Sequence, residues 1–295
     1  MDDLLSPAGL FEQHRAHLAA VAHRMLGSVS EADDALQEAW LRVDRSGTEG
    51  VENPAAWLTT VVSRVCLNLL RTRERRREDP LDAGPADPVA AAEDGGDPER
   101  EAELADSVGL AMLVVLDTLP PAERVAFVLH DMFAVPFDEI GPLLDRSPAA
   151  ARQLASRARR RVRGVPAVPG EDLARQRRAV EAYLAAARRG DFDALLTLLD
   201  PEVVLRADAA VGPTPAPVFL RGAATVARGA FASAVRAHAT EAALVDGRAG
   251  LVMARDGRAA VVLTFTFGND GLISAVDVIA DRERLRRLDL ALLGA

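Results

Sequence analysis

The stretch that most constrains this chain is residues 78–106, EDPLDAGPADPVAAAEDGGDPEREAELAD, which sets eleven carboxylates against a single arginine. It is rich in Pro, Gly and Ala and has almost no large apolar side chain. Such a segment cannot bury enough surface to offset the entropy of ordering itself, so it is expected to be an acidic flexible linker. One continuous core across all 295 residues is thereby excluded. A shorter break, GVPAVPGED at 164–172, contributes two Pro and two Gly. Three folded units follow, 6–77, 107–164 and 172–295, with no internal repeat among them.

Setting the linker aside changes the meaning of the net charge of -9. Residues 1–77 carry ten arginines and eleven acids, residues 107–165 eight arginines and six acids, and residues 166–295 sixteen of each. The folded units are therefore near neutral, with local basic clusters that the global acidity hides. All 35 basic residues are arginine. Codon bias in a GC-rich genome accounts for that, yet it makes every cation a planar fork suited to phosphate and guanine. Apolar runs fall far short of the ~18 residues that span a bilayer. The single Cys66 excludes a disulfide framework and a cysteine-based zinc site, and nothing calls for a metal or a cofactor. Asp2 and Asp3 are unlike the basic start of a secretory signal, so a soluble cytoplasmic protein is expected.

In the first unit Phe11, His14, Leu18, Val21 and Met25 recur at spacings of three and four, the mark of an amphipathic helix ended by Gly27. Ser30 with Asp33 is expected to cap a second helix, whose buried stripe is Ala32, Leu36, Ala39 and Val43. Its other side carries Glu31, Asp34 and Glu38, either a solubilising face or a docking surface. Asn53-Pro54 starts a third helix. There Trp57, Val61, Val65 and Leu69 are expected to be buried, and Thr60, Arg64 and Arg71 share another side. It runs out into RTRERRR, residues 71–77, which is either a solvated helix end or a phosphate clamp.

The second unit reads as a helix-turn-helix. Pro120-Pro121 introduces a helix with Val125, Val128, Leu129 and Phe133, and Ala134-Val135-Pro136 breaks it. Residues 137–144 form a short helix, Asp145-Arg146-Ser147 a tight turn, and Ser147-Pro148 caps the next helix. Ala151, Ala155, Ala158 and Val162 give that helix a small-residue face that permits close approach. Arg152, Gln153, Ser156, Arg157, Arg159, Arg160 and Arg163 occupy its other sides, and no acid interrupts 146–164. Basic and amide side chains on such a helix suit the major groove.

ADDALQEAWLRV (32–43), NPAAWLTTVVSRVCLNLLRTRERR (53–76), LPPAERVAFVLHDMF (119–133) and FDEIGPLLDRSPAAARQLASRARRRV (137–162) together resemble the two conserved regions of extracytoplasmic-function sigma factors, in order and spacing. The resemblance implies two all-α domains: region 2 over 6–77 and region 4 over 107–164, joined by the acidic linker 78–106. It implies that Asp33, Asp34, Gln37 and Glu38 dock on the clamp of core RNA polymerase. Thr60, Arg64, Asn68, Arg71, Arg73, Arg75 and Arg76 would engage the promoter -10 element, and the loop 46–53 would hold a flipped base. Ala150, Arg152, Gln153, Ser156, Arg157, Arg159 and Arg160 would contact the -35 element.

From residue 172 the pattern changes to helices followed by strand-like runs at 203–207, 218–221, 241–245, 251–254, 259–267 and 272–279. Asp256-Gly257 and Asp270-Gly271 are hairpin signals, and the whole reads as α+β. VEAYLAAARRGDFDALLTLLDPEVVLRAD (180–208) with RGAATVARG (221–229) resembles SnoaL-like domains of the nuclear transport factor 2-like superfamily, cone-shaped folds that enclose a pocket. Asp208, His238, Asp277 and Tyr183 are the acid–base candidates there, but they form no recognisable pair. Catalysis is not expected.

Some sigma factors carry such a domain at their C-terminal end, and the whole chain resembles them. That likeness implies that 172–295 tunes the sigma regions, with Asp79, Pro80, Leu81 and Asp208 as possible regulatory contacts. A separate anti-sigma protein is then not required, and a pocket ligand is possible. The expected function is promoter recognition and initiation by RNA polymerase, without membrane attachment. The alternatives are a ligand-responsive helix-turn-helix regulator that is not a sigma subunit, and a SnoaL-like cyclase or isomerase.

Overall fold

The computed structural model describes residues 6–48, 50–78, 109–211, 216–232 and 237–293. Nearly all of the acidic linker, including Asp79, Pro80 and Leu81, lies outside the described residues. The chain forms two compact units, and the division falls inside one helix: residues 108–115 and 162–295 belong to the second unit, 116–161 to the first.

The first unit is all helical. α1 (Pro7–Leu26) starts at Ser6, whose hydroxyl accepts from the Gly9 N–H, and ends at Gly27 in the left-handed conformation, φ 85°. α2 (Val29–Ser46) is capped by Ser28, two residues before the expected Ser30, and its hydroxyl accepts from the Glu31 N–H. Ser28 and Glu31 have the spacing of a capping box, two residues earlier than Ser30 and Asp33. That shift leaves Asp33 and Asp34 on the open face.

α3 (Pro54–Glu78) also departs from expectation. Its buried apolar residues are Leu58, Val62, Val65, Cys66, Leu67 and Leu70, while Trp57, Val61 and Leu69 are only half-buried. The cause is that α3 is covered on two sides, by α1 and α2 and by the helices beyond residue 120. Full burial around Cys66 pushes its thiol up to about 12, so it is an inert core residue.

The helices beyond the linker are α4 (Leu110–Asp117), α5 (Pro121–Phe127) continuing as a π-helical turn (Val128–Met132), α6 (Phe137–Leu143) and α7 (Pro148–Arg163). Phe133, just past the π turn, meets α1: the His17 ring lies edge-on at 5.3 Å and the Arg24 guanidinium sits 5.1 Å over the Phe133 face. Arg124 is almost wholly buried at 1% exposure, its Nη1 3.3 Å from Asp117 Oδ1. Burial, with Arg24 and Arg124 nearby, lowers the pKa of the enclosed His23 below its usual value.

The second unit has the expected α+β class. α8 (Gly170–Arg189) and α9 (Phe192–Leu198) precede β1 (Leu199–Ala207) and β2 (Val218–Arg221). α10 (Ala223–Ala232) leads to β3 (Thr240–Val245), β4 (Arg248–Arg255), β5 (Arg258–Phe267) and β6 (Ile273–Ile279). α11 (Arg282–Arg287) and β7 (Leu290–Leu292), neither expected, close the fold. The sheet order is β2-β1-β6-β5-β4-β3-β7, antiparallel except for β1 beside β6. Asp246-Gly247 and Asp256-Gly257 both have positive φ, the backbone of tight hairpins; the first was not foreseen.

Both faces of the sheet are buried, which the period of two in β4 makes explicit. Leu251 points to the core of the helices, with Val180, Tyr183, Leu195, Val226 and Phe265. Its neighbour Val252 points to the opposite face, with Ala243, Val245, Val262, Leu290 and, from α4, Ala111 and Val114. Glu241 Oε2 accepts from the Ala111 N–H at 2.9 Å and holds the start of α4 there.

Candidate functional site

Three exposed surfaces, all on the first unit, gather most of the candidate residues. On α2, Asp33, Asp34, Gln37 and Glu38 are all exposed, opposite the buried Ala32, Ala35, Leu36, Ala39 and Val43. Leu41, one turn on, is 45% exposed.

On α3, spacings of four, four, three and four place Thr60, Arg64, Asn68, Arg71 and Arg75 along one stripe. Arg64, Asn68, Arg71 and Arg75 are exposed, while Thr60 is half-buried and its hydroxyl donates to the Ala56 carbonyl at 3.0 Å. Arg76 is exposed on the flank. Arg73 lies off this stripe: it turns back to form an ion pair with Glu31 and donates from Nη1 to the Leu26 carbonyl at 3.1 Å. It ties the end of α3 to the α1–α2 corner.

The third surface is α7. Ser147 Oγ accepts from the Ala150 N–H at 3.2 Å, and Pro148 begins the helix. Ala151, Ala155 and Ala158 are fully enclosed. The close approach also requires Gly141 in α6, where an added Cβ would stand 2.9 Å from the Arg146 carbonyl oxygen, a backbone atom that cannot step aside. The positive φ of Asp145 completes the turn. His130 braces the preceding break, stacked on Phe137 at 3.9 Å with Nδ1 3.0 Å from the Val135 carbonyl.

On the open side Arg152, Gln153, Ser156, Arg157 and Arg160 are exposed, with Ala150 and Arg159 half-buried. The Arg152 guanidinium lies 5.2 Å over the Phe137 ring. Arg157 pairs with Glu123 at 2.7 Å and Arg159 with Asp131 at 2.6 Å, and Arg161 reaches the same Glu123 at 3.2 Å. Arg157 and Arg161 thus share one carboxylate, Glu123, which is itself buried. Sequence reasoning did not find Glu123 or Asp131 as the residues that orient these arginines. They sit about thirty positions away, on α5 and the π turn.

In the second unit the acid–base candidates are dispersed. Asp208 accepts from the Ala280 and Asp281 N–H groups, both at 3.0 Å, and pairs with Arg284. It therefore anchors α11 to the end of β1. Asp277 faces Arg206 at 3.6 Å, and His238 is exposed. Tyr183 is packed edge-on against Phe265 at 5.3 Å, and burial pushes its hydroxyl up to about 12. Among the described residues no cluster of three His, Cys, Asp or Glu could hold a metal ion, and no helix is long and apolar enough to cross a membrane.

Two family models match where these surfaces lie: sigma-70 region 2 over residues 10–76 and sigma-70 region 4 over residues 110–162. A curated relative, the ECF RNA polymerase sigma factor SigJ of Mycobacterium tuberculosis, is 44% identical over 220 residues, 74% of this chain and 70% of that protein. The probable ECF RNA polymerase sigma factor SigI of the same species is 38% identical over 205 residues, 68% of this chain and 69% of that one. Among solved structures, that of M. tuberculosis SigJ is 37% identical, covering 93% of this chain and 96% of its own, with a TM-score of 0.46. This chain belongs to the extracytoplasmic-function RNA polymerase sigma factors.

Proposed function

We propose that the chain is a promoter-specificity subunit that binds core RNA polymerase through the acidic face of α2, around Asp33, Asp34, Gln37, Glu38 and Leu41. Arg64, Asn68, Arg71, Arg75 and Arg76 on α3 engage the -10 element, and the loop 46–53 receives a base turned out of the opened strand. α7 reads the -35 element in the major groove with Arg152, Gln153, Ser156, Arg157 and Arg160, supported by Arg159 and Ala150. The polymerase does the chemistry; this chain supplies binding energy and strand separation, acts in the cytoplasm, and is not an enzyme.

The observation that carries this reading is α7 itself: one side enclosed alanine, the other a run of exposed arginine and amide groups with no acid among them. Such forks pair bidentately with guanine and clamp phosphate. The second unit is proposed to regulate the first. Asp208 is held within its own unit by the Ala280 and Asp281 N–H groups and Arg284. Any role for Asp79-Pro80-Leu81 lies outside the described residues.

Promoter-directed transcription with purified core polymerase tests the reading. The intact chain is expected to drive initiation, and Arg152→Ala with Arg157→Ala to abolish it without loss of folding. If the intact chain neither associates with core enzyme nor directs initiation, the reading fails.

A further inference from the structure

The sheet of the second unit ends at β2, and the ladder beside it fixes which way that edge faces. Val204 lies opposite Arg221 and Ala207 opposite Val218, and the Gly222 N–H donates to the Val203 carbonyl at 2.8 Å. In an antiparallel pair, residues alternate between exchanging both backbone bonds with the neighbouring strand and turning both groups away from it. Gly222, Leu220 and Val218 are in phase to exchange with β1. Phe219 and Arg221 therefore turn their N–H and C=O groups outward, and among the described residues no backbone bond reaches them.

The side chains alternate in the same rhythm. Leu220 lies opposite Leu205 and packs with it against the core of the helices. Phe219 and Arg221 face the other side of the sheet, with Arg206 and Val204 as their neighbours on β1. Phe219 is 64% exposed and the adjacent Val218 37%. Glu202 holds the Arg221 guanidinium on that side, its Oε2 accepting from Nη2 at 2.8 Å and from Nε at 3.2 Å. Edges are protected by bulges or by inward-pointing charges. The β1–β2 register has no bulge, and the inward residue of β2 is leucine.

We propose that β2 pairs antiparallel with β2 of a second copy of this chain, about a two-fold axis at Leu220. The register is self-complementary. Phe219 of each copy lies opposite the other copy's Arg221, so their outward backbone groups bond one another and the two-fold repeats the exchange. Leu220 meets its own equivalent on the core side. On the outer side each Phe219 ring receives the other copy's Arg221 guanidinium across the strands. A second copy is favoured over a strand from a different protein because β2 supplies both halves of the contact. Ring and cation stand on either side of Leu220, the spacing that a two-fold through that residue brings into register. β2 has four residues, so the pair is weak, with a dissociation constant on the order of 10–100 μM. The contact involves the second unit alone and stands whether or not the first unit reads promoters.

Sedimentation equilibrium of the full chain from about 1 to about 300 μM tests this, alongside Phe219→Pro and Arg221→Ala. Wild type is expected to pass from monomer to dimer over that range. Phe219→Pro removes an N–H that β1 does not use, so it is expected to fold and to weaken the dimer by about tenfold or more. Arg221→Ala is expected to weaken it by about threefold to tenfold. Amide hydrogen exchange at the two ends of the range locates the contact without any substitution. Exchange at Phe219 and Arg221 is expected to slow at high concentration, while Leu220, already bonded to β1, stays unchanged. A chain that remains monomeric throughout overturns the proposal. So does a dimer that Phe219→Pro leaves intact, or one in which exchange at Phe219 and Arg221 does not slow.

Discussion

α3 and α7 are the two arginine-bearing helices of the first unit, and they use opposite solutions to the same problem. α7 encloses only small residues on one side and leaves the other open, so its sequence pattern and its surface coincide. α3 is covered on two sides, with Leu58, Val62 and Cys66 enclosed and a narrow stripe of Arg64, Asn68, Arg71 and Arg75 exposed. A periodic pattern assigns one buried face. A helix shared between two neighbours has more, and its pattern is accordingly harder to read.

Substitutions can sharpen that contrast. The largest expected effect is on recognition: Arg152→Ala with Arg157→Ala should weaken -35 binding by about 2–6 kcal/mol, at roughly 1–3 per lost fork. The melting temperature should fall by a few degrees at most, because Arg161 still pairs with the buried Glu123; promoter binding and calorimetry on the same protein check both halves. Next comes Leu58→Ala in the doubly covered part of α3, which should cost about 2–5 kcal/mol of stability in denaturant titrations. Its counterpart in α7, Ala155→Leu, should cost about 1–3 kcal/mol by overpacking the enclosed side of that helix, again by denaturant titration.

A pH effect should follow from His23. Its pKa is lowered in the folded state, so the unfolded chain takes up a proton first. Stability from this group is therefore complete above the ordinary histidine pKa of about 6.5 and declines as pH falls below it. Thermal melts between pH 8 and pH 5 should show this decline, and His23→Gln should flatten it. The smallest effect separates two neighbouring arginines. Arg73→Ala should lower stability by about 1 kcal/mol, because it breaks the tie to Leu26 and Glu31. Arg71→Ala should leave stability alone and reduce the salt dependence of DNA binding.

The same contrast explains how much was legible beforehand. The helix-turn-helix was read nearly residue by residue because its signals are local: the Ser147-Pro148 start, the alanine spacing and the Ala134–Pro136 break. The cap of α2 was misplaced by two residues because Ser28 and Ser30 both precede an acid at the right spacing. In the second unit the strands at 218–221 and 241–245 were found closely, but α11 and β7 were missed. Their placement depends on Asp208, more than seventy residues away, accepting from Ala280 and Asp281. The second buried face of the sheet was unreadable for the same reason. Ala111 and Val114 find partners at Ala243 and beyond, and no local period encodes that.

The division of α4 bears on how the chain can be cut. Residues 110–115 share a core with β3, β4, β5 and β7, although they are numbered with the helix-turn-helix. A protein ended near residue 167 would leave Ala111 and Val114 bare and deprive the Ala111 N–H of Glu241. Its loss of activity would then report a frayed helix as readily as a removed regulator. Transplanting the second unit onto another sigma factor would need those six residues to travel with it, so engineering has two seams to respect, between Val115 and Leu116 and between Arg161 and Val162.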